Sequence, residues 1–243
     1  MATTAAAIPR TRSPRRLYVA IAVVAIAIAA VGFWPSYFGP LLAGAVDVPA
    51  IIHFHAAVYV GWLAIFVTQT VLAATGRVAA HIKLGRFAIG YGVLVIAAGL
   101  TAAFGMFALR VEAGSVAEAQ GRLFGPLVDM TVFAPLFAAA IHYRRRPDLH
   151  KRLMVVATSY LLIAAVGRMP FLGQPRDLFL VHLMWVAPIL LAMAHDFWRQ
   201  RRVHPIYVGG LILFVVTGPL FRIVARASET WRNISGWLAA WAA

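Results

Sequence analysis

Seven apolar runs, each near the length that crosses a bilayer and each followed by a short polar connection, constrain this chain more than anything else in it. They are residues 17–34, 50–75, 87–109, 124–143, 153–170, 177–198 and 206–227. A hydrocarbon core roughly 30 Å thick takes about 20 apolar residues of α-helix, because each span must satisfy its own backbone polar groups there. Seven such spans use most of the 243 residues. The predicted fold class is therefore all-α, an integral membrane bundle of seven transmembrane helices forming one domain over 17–227. Residues 1–16 read as a flexible basic N-terminal tail. Residues 228–243 read as a short amphipathic helix in the membrane interface, since Trp231, Ile234, Trp237, Leu238 and Trp241 recur at helical spacing. The first run could pass for a secretory signal. At 18 residues it is long for one, and Phe33-Trp34-Pro35 follows it instead of a small-residue cleavage site, so we read it as a retained helix.

The positive charges orient the bundle. If the N-terminus is cytoplasmic, fifteen of the 22 Lys and Arg residues fall in inner segments, in clusters such as Arg10–Arg16, Arg77–Arg86, Arg144–Arg152 and Arg199–Arg202. The other seven (Arg110, Arg122, Arg168, Arg176, Arg222, Arg226 and Arg232) fall outside, with six of the eight acids. Positive charge marks the cytoplasmic side, so the expectation is N-terminus in, C-terminus out, in a bacterial inner (plasma) membrane. The net charge of +14 would suggest a nucleic-acid partner in a soluble chain. Here the charge is spent on the inner connections, and no nucleic-acid partner is expected. With no cysteine, the chain holds no disulfide, thiolate nucleophile or cysteine-bound cluster.

Within the runs, ionisable residues are costly and thus candidate functional groups, and they sort by depth into two layers. The outer layer holds His53 and His55, Asp129, Arg168, His182 and Arg222. The inner layer holds His81, His142, His150, His195, Asp196 and His204. His53, Asp129 and His182 each lie about one turn or more inside an outer helix start, so three helices bring His, Asp and His to one level. That donor set suits a transition metal ion. Alternatively, two of the outer histidines could ligate a haem b iron, with Arg168 and Arg222 balancing its propionates.

His53 and His55 cannot share a face, because two residues rotate a helix by about 200°. His53 continues into the small residues Ala57, Gly61, Ala64 and Thr68, and His55 into Tyr59, Trp62, Phe66 and Gln69. The small face favours His53 as the bundle-facing one. A carboxylate at the depth of Asp129 needs a partner, and Arg168, Arg222 and the outer histidines are within its reach. Gly85, Gly92 and Gly99 make a small stripe on the third run. Pro135 and Pro188, in mid-run, are expected to bend their helices.

His53-Phe54-His55, Trp62, Gln69, the stretch His81–Arg86 and His150-Lys151-Arg152-Leu153-Met154 resemble a group of bacterial multi-pass membrane proteins defined as a domain of unknown function. Their pattern includes a His-Arg-x-x-Gly-Arg helix start and a later His-Lys-Arg-Leu-Met one. Here Ile82-Lys83 replaces the arginine pattern of the first. The resemblance spans residues 34–200 and implies a membrane bundle without implying an activity. Histidines at both faces of a small bundle are also loosely similar to the dihaem cytochromes b.

Together these readings point first to a His-centred haem b or metal site in the outer half, serving electron transfer or cofactor handling, with a redox partner or small-molecule substrate beyond the lipid bilayer. A proton-coupled transporter using Asp129 and buried histidines is the alternative. A partner or assembly subunit, whose polar residues only hold helices together, is a third.

Overall fold

A computed structural model describes residues 15–172 and 177–242, all of them helix, turn or connection. The basic tail before Arg15, with Arg10 and Arg12, and the loop residue Arg176 lie outside the described residues. The helices are α1 (Arg15–Phe33), continued by a π-helical turn over Trp34–Phe38 and α2 (Gly39–Leu42); α3 (Ala50–Ala74); α4 (Val78–Glu112); α5 (Val116–His142); α6 (Pro147–Tyr160); α7 (Ile163–Val166); α8 (Leu178–Gln200); α9 (Pro205–Val216); α10 (Pro219–Arg226); and α11 (Glu229–Ala242).

Seven segments of the described chain are long and apolar enough to cross a membrane: Arg16–Leu42, Ala50–Ala74, Val78–Glu112, Val116–Arg145, Pro147–Val166, Leu178–Gln200 and Pro205–Arg226. The seven runs read from the sequence are all present. Spans three and four extend past their apolar stretches, because neither the residues from Val78 nor those from Val116 contain a helix breaker until Pro126, which the helix accommodates. We call the face where α1 begins the near face and the opposite one the far face.

Helices α3, α4, α5 and α6 pack in sequence order, and α1 lies against α3, α7 and α8. The fifth span is the axis of the molecule: 61% of its most apolar window is buried, against 17–33% for the others. Around it α6, α8 and α9 close a core of Tyr160, Trp185, Tyr207 and Phe214, each fully buried. A second core joins α3, α4 and α5 through Trp62, Phe133 and Phe137. The glycine stripe of α4 admits it. A Cβ on Gly92 would stand 2.2 Å from the Phe137 ring, and one on Gly99 would stand 2.5 Å from the Tyr59 hydroxyl and 2.7 Å from Met130 Sδ.

The C-terminal segment is helical, but its tryptophans divide between two faces. Trp231, Ser235 and Ala239, four apart, are buried against α4 and α5, where Trp231 Nε1 donates to Gln120 O at 3.0 Å. Ile234, Trp237 and Trp241 point away and stay exposed. One face docks on the bundle, and the other is exposed.

Pro135 and Pro188, where bends are expected, interrupt neither helix. Both α5 and α8 stay helical through them. The discontinuities are in spans five and seven, after Tyr160 and after Val216. Each break lies about 20 Å along its span from the near-face start, at 1.5 Å per residue. Carbonyls exposed by the breaks are claimed by side chains. Trp185 Nε1 donates to Ser159 O and Tyr160 O at 3.2 and 3.1 Å, and Arg222 Nε donates to Thr217 O at 2.9 Å. Broken backbone at membrane depth is tolerated where such partners exist.

Candidate functional site

The two breaks meet at an ion pair. Arg222, one turn into α10, is carried inward by Gly218-Pro219, which ends α9 and restarts the helix. Its Nη2 donates to Asp129 Oδ1 at 2.7 Å and to the Tyr160 hydroxyl at 3.1 Å, and its Nη1 reaches Gly125 O at 3.4 Å. The Tyr160 hydroxyl donates onward to Thr217 Oγ1 at 2.7 Å. The guanidinium also lies over the Tyr160 and Trp185 rings, at 5.9 and 5.5 Å. Both charged side chains are nearly enclosed, at 14% and 13% exposure. The contact expected of Asp129 from its depth is formed, with Arg222 as the partner.

His182 sits beside this network, one turn before Trp185 on α8. Its ring lies edge-on to Trp185, with centroids 5.9 Å apart, and a Cβ on Gly218 would stand 3.1 Å from it. Its Nε2 is buried and has no hydrogen-bond partner among the described residues. Arg168 follows α7, is exposed, and donates to Ala164 O at 2.5 Å while covering the Phe33 ring at 5.1 Å. It lies within electrostatic reach of Asp129. Protonating Asp129 would neutralise the one carboxylate among the described residues that Arg222 contacts and free a fork of donors suited to another anion.

The other outer histidines are engaged elsewhere. His53 Nδ1 bonds the Tyr37 hydroxyl at 2.9 Å, on the π-helical turn after α1. His55 Nδ1 faces Ala98 O of α4 at 3.4 Å, and its ring lies on Tyr59 with centroids 4.1 Å apart. The stripe headed by His55 turns inward: Trp62 and Phe66 are buried, whereas Ala64 and Thr68 on the His53 stripe are exposed. This reverses the preference for His53, because the bulky stripe gains more by leaving lipid for the aromatic core of α5. Among the described residues, no three His, Asp or Glu side chains gather as a metal-binding group, so His53, Asp129 and His182 do not converge.

A second charged network lies at the near face. Arg152 of α6 is 4% exposed and sits between two carboxylates. Its Nη1 pairs with Asp148 one turn below, and its Nη2 reaches Asp196 Oδ2 of α8 at 3.3 Å. The guanidinium covers the Tyr207 ring at 5.6 Å, and the Tyr207 hydroxyl is 3.3 Å from that of Tyr18 on α1. His204 caps α9 by accepting from Ile206 N at Nδ1, which puts its proton on Nε2, 3.3 Å from Asp148 Oδ2. Asp196 and His204 were visible as inner-layer residues in the sequence. Arg152 was hidden in a basic cluster, and Tyr160, Thr217 and Tyr207 inside apolar runs.

No family model, curated protein or solved structure matches this chain.

Proposed function

We propose that this membrane protein is a proton-coupled carrier for a small anionic solute, with its N-terminus in the cytoplasm. The observation that carries the reading is the meeting of two discontinuous spans at the enclosed Asp129–Arg222 pair. Secondary transporters bind their substrates near mid-membrane, at helices interrupted in this way. In the proposed cycle, a proton arriving at Asp129 neutralises it and releases Arg222. The freed guanidinium, with Arg168 nearby, receives a carboxylate or phosphate group of the solute. Tyr160 and Thr217 relay the change to the ends of α6 and α9. The near-face network of Arg152, Asp148 and Asp196 would form the second gate, about 12 Å along α6 from Tyr160.

The test is reconstitution into liposomes loaded with a pH-sensitive dye, to which small carboxylates and inorganic phosphate are added in turn. At least one should drive proton entry in the wild type, and Asp129→Asn, which keeps the shape without the charge, should abolish it. Wild-type liposomes silent to the whole series, or an Asn variant as active as wild type, would overturn the reading.

A haem b or transition-metal centre for electron transfer is the second reading, favoured by the buried Nε2 of His182, which has no partner among the described residues. It calls for a coloured protein or a stoichiometric metal on purification, which absorbance spectroscopy and elemental analysis would report.

A further inference from the structure

Arg226 stands one turn beyond Arg222 on α10, toward the far face, and repeats its placement against α5. Residues four apart share a helix face. A Cβ on Gly125 would stand 3.7 Å from Arg222 Nη1, and one on Gly121 would stand 3.8 Å from Arg226 Cδ. The glycines are four apart on α5, as the arginines are on α10, and the two helices run in opposite directions. Arg226 therefore continues the Arg222 row outward along the same strip of α5. Phe221 against Phe124, with ring centroids 6.2 Å apart, and Phe124 against Trp231, at 5.0 Å, hold α5, α10 and α11 in this register.

The two arginines differ in what they hold. Arg222 is nearly enclosed and is satisfied by Asp129, Tyr160, Thr217 and Gly125. The other described arginines of the far face have partners too: Arg110, Arg168 and Arg232 donate to helix carbonyls, and Arg122 pairs with Glu118 at 2.7 Å. Among the described residues, the Arg226 guanidinium has neither a carbonyl nor a carboxylate partner, and it is exposed. With Asp129 neutralised, the row would present two guanidinium forks and no anion. Four residues of helix set them about 6 Å apart along α10. Each fork takes one carboxylate through two parallel N–H bonds. A monoanion fills one fork. A short solute with a carboxylate at each end fills both and balances both charges.

We propose that the solute is a short dicarboxylate, bound with one carboxylate on Arg222 and the other on Arg226. The inference rests on the carrier reading for Arg222 as the anion site, and it adds the second fork and the two-ended ligand. Arg226 is the group that tells a dianion from a monoanion, which Arg222 alone would not do.

The test titrates full-length Asp129→Asn protein by calorimetry, so that Arg222 is released without a proton. The detergent is non-ionic and phosphate-free, so that no lipid headgroup competes for Arg226. The probes are succinate and butyrate, which has the same number of carbons and one carboxylate. Succinate should bind about 10-fold tighter or more, the worth of one charge-assisted hydrogen bond. Adding Arg226→Gln should bring succinate to the butyrate level while the melting temperature stays near that of the parent, and adding Arg222→Gln should abolish binding of both. Equal affinities for the two anions, or an advantage that survives Arg226→Gln, would overturn the role of Arg226 and leave Arg222 as an anion site. If neither anion binds, the anion site at Arg222 falls and this inference with it. Liposomes that admit no protons, beside an intact succinate advantage, would count against the carrier cycle and for the dicarboxylate site.

Discussion

The far and near charged networks solve the same problem with opposite economies of backbone. At the far face, Asp129 and Arg222 meet where two spans are broken, and Arg222 spreads its donors over Asp129, Tyr160, Thr217 and Gly125. At the near face all the helices are intact, and Arg152 is held by two carboxylates, one exposed and one buried. In the far network the cation is satisfied mostly by neutral oxygens, so the charge of its one acid can be removed without stranding it. In the near network the buried acid depends on its cation. The far pair can therefore lose its charge at less cost to the fold than the near one.

The sharpest way to break this contrast is Arg152→Leu. It leaves Asp196, 5% exposed, without its cation, and should destabilise the protein by about 3–5 kcal/mol, as removal of one partner of a buried pair does. Thermal unfolding in detergent would measure it. Asp129→Leu should cost less, near the low end at about 3 kcal/mol, because Arg222 keeps its neutral acceptors. Asp129→Asn should cost less again while abolishing the proton coupling proposed for the pair. If Asp129→Leu proves the more damaging to stability, the contrast between the networks is wrong.

Trp185→Phe keeps most of the aromatic packing but removes the indole donor from Ser159 O and Tyr160 O. Ser159 O keeps its bond from Leu162 N, and leaving Tyr160 O unserved should cost about 1–3 kcal/mol. Hydrogen exchange should increase around Leu161–Leu162 more than in α8 itself.

The smallest effect concerns His204. Burial holds its imidazole below the ordinary histidine value, so the folded state favours the neutral ring whose Nδ1 caps α9. The unfolded chain takes up the proton first as pH falls. Stability is therefore full above the unfolded value of about 6.5 and declines below it, down through the lowered folded value. The cap is worth about 0.5–1 kcal/mol. A pH series of unfolding midpoints should show the acid-side decline in wild type and a reduced one in His204→Asn, which can cap the helix at either pH.

Much of this was legible in the sequence, for reasons specific to the residues. The spans follow from run length, and Asp129 and Arg222 announced themselves as charges inside runs on the sparsely basic side. The break after Val216 had its signal in Gly218-Pro219. The break after Tyr160 had none: Leu161-Leu162 looks like any membrane helix, and the donor that serves Tyr160 O there, Trp185, comes from another helix. Pro135 and Pro188 lie inside continuous helices, since a helix can absorb one missing donor without ending. Arg152 escaped notice because its buried partner is 44 residues away, and because the surrounding basic cluster already had an explanation in membrane orientation.

Helix α4 carries a consequence for the membrane itself. Its 35 residues amount to about 52 Å of helix, against roughly 30 Å of hydrocarbon. Tilt alone would need about 55° to hide that length, well beyond the 0–40° that membrane helices adopt. The ends of α4 therefore stand in the headgroup layers, with His81 and Lys83 at one end and Arg110 and Glu112 at the other. A thicker bilayer would draw those ends inward and a thinner one would expose them, so the depth at which His81 meets water is set by the lipid composition around the protein.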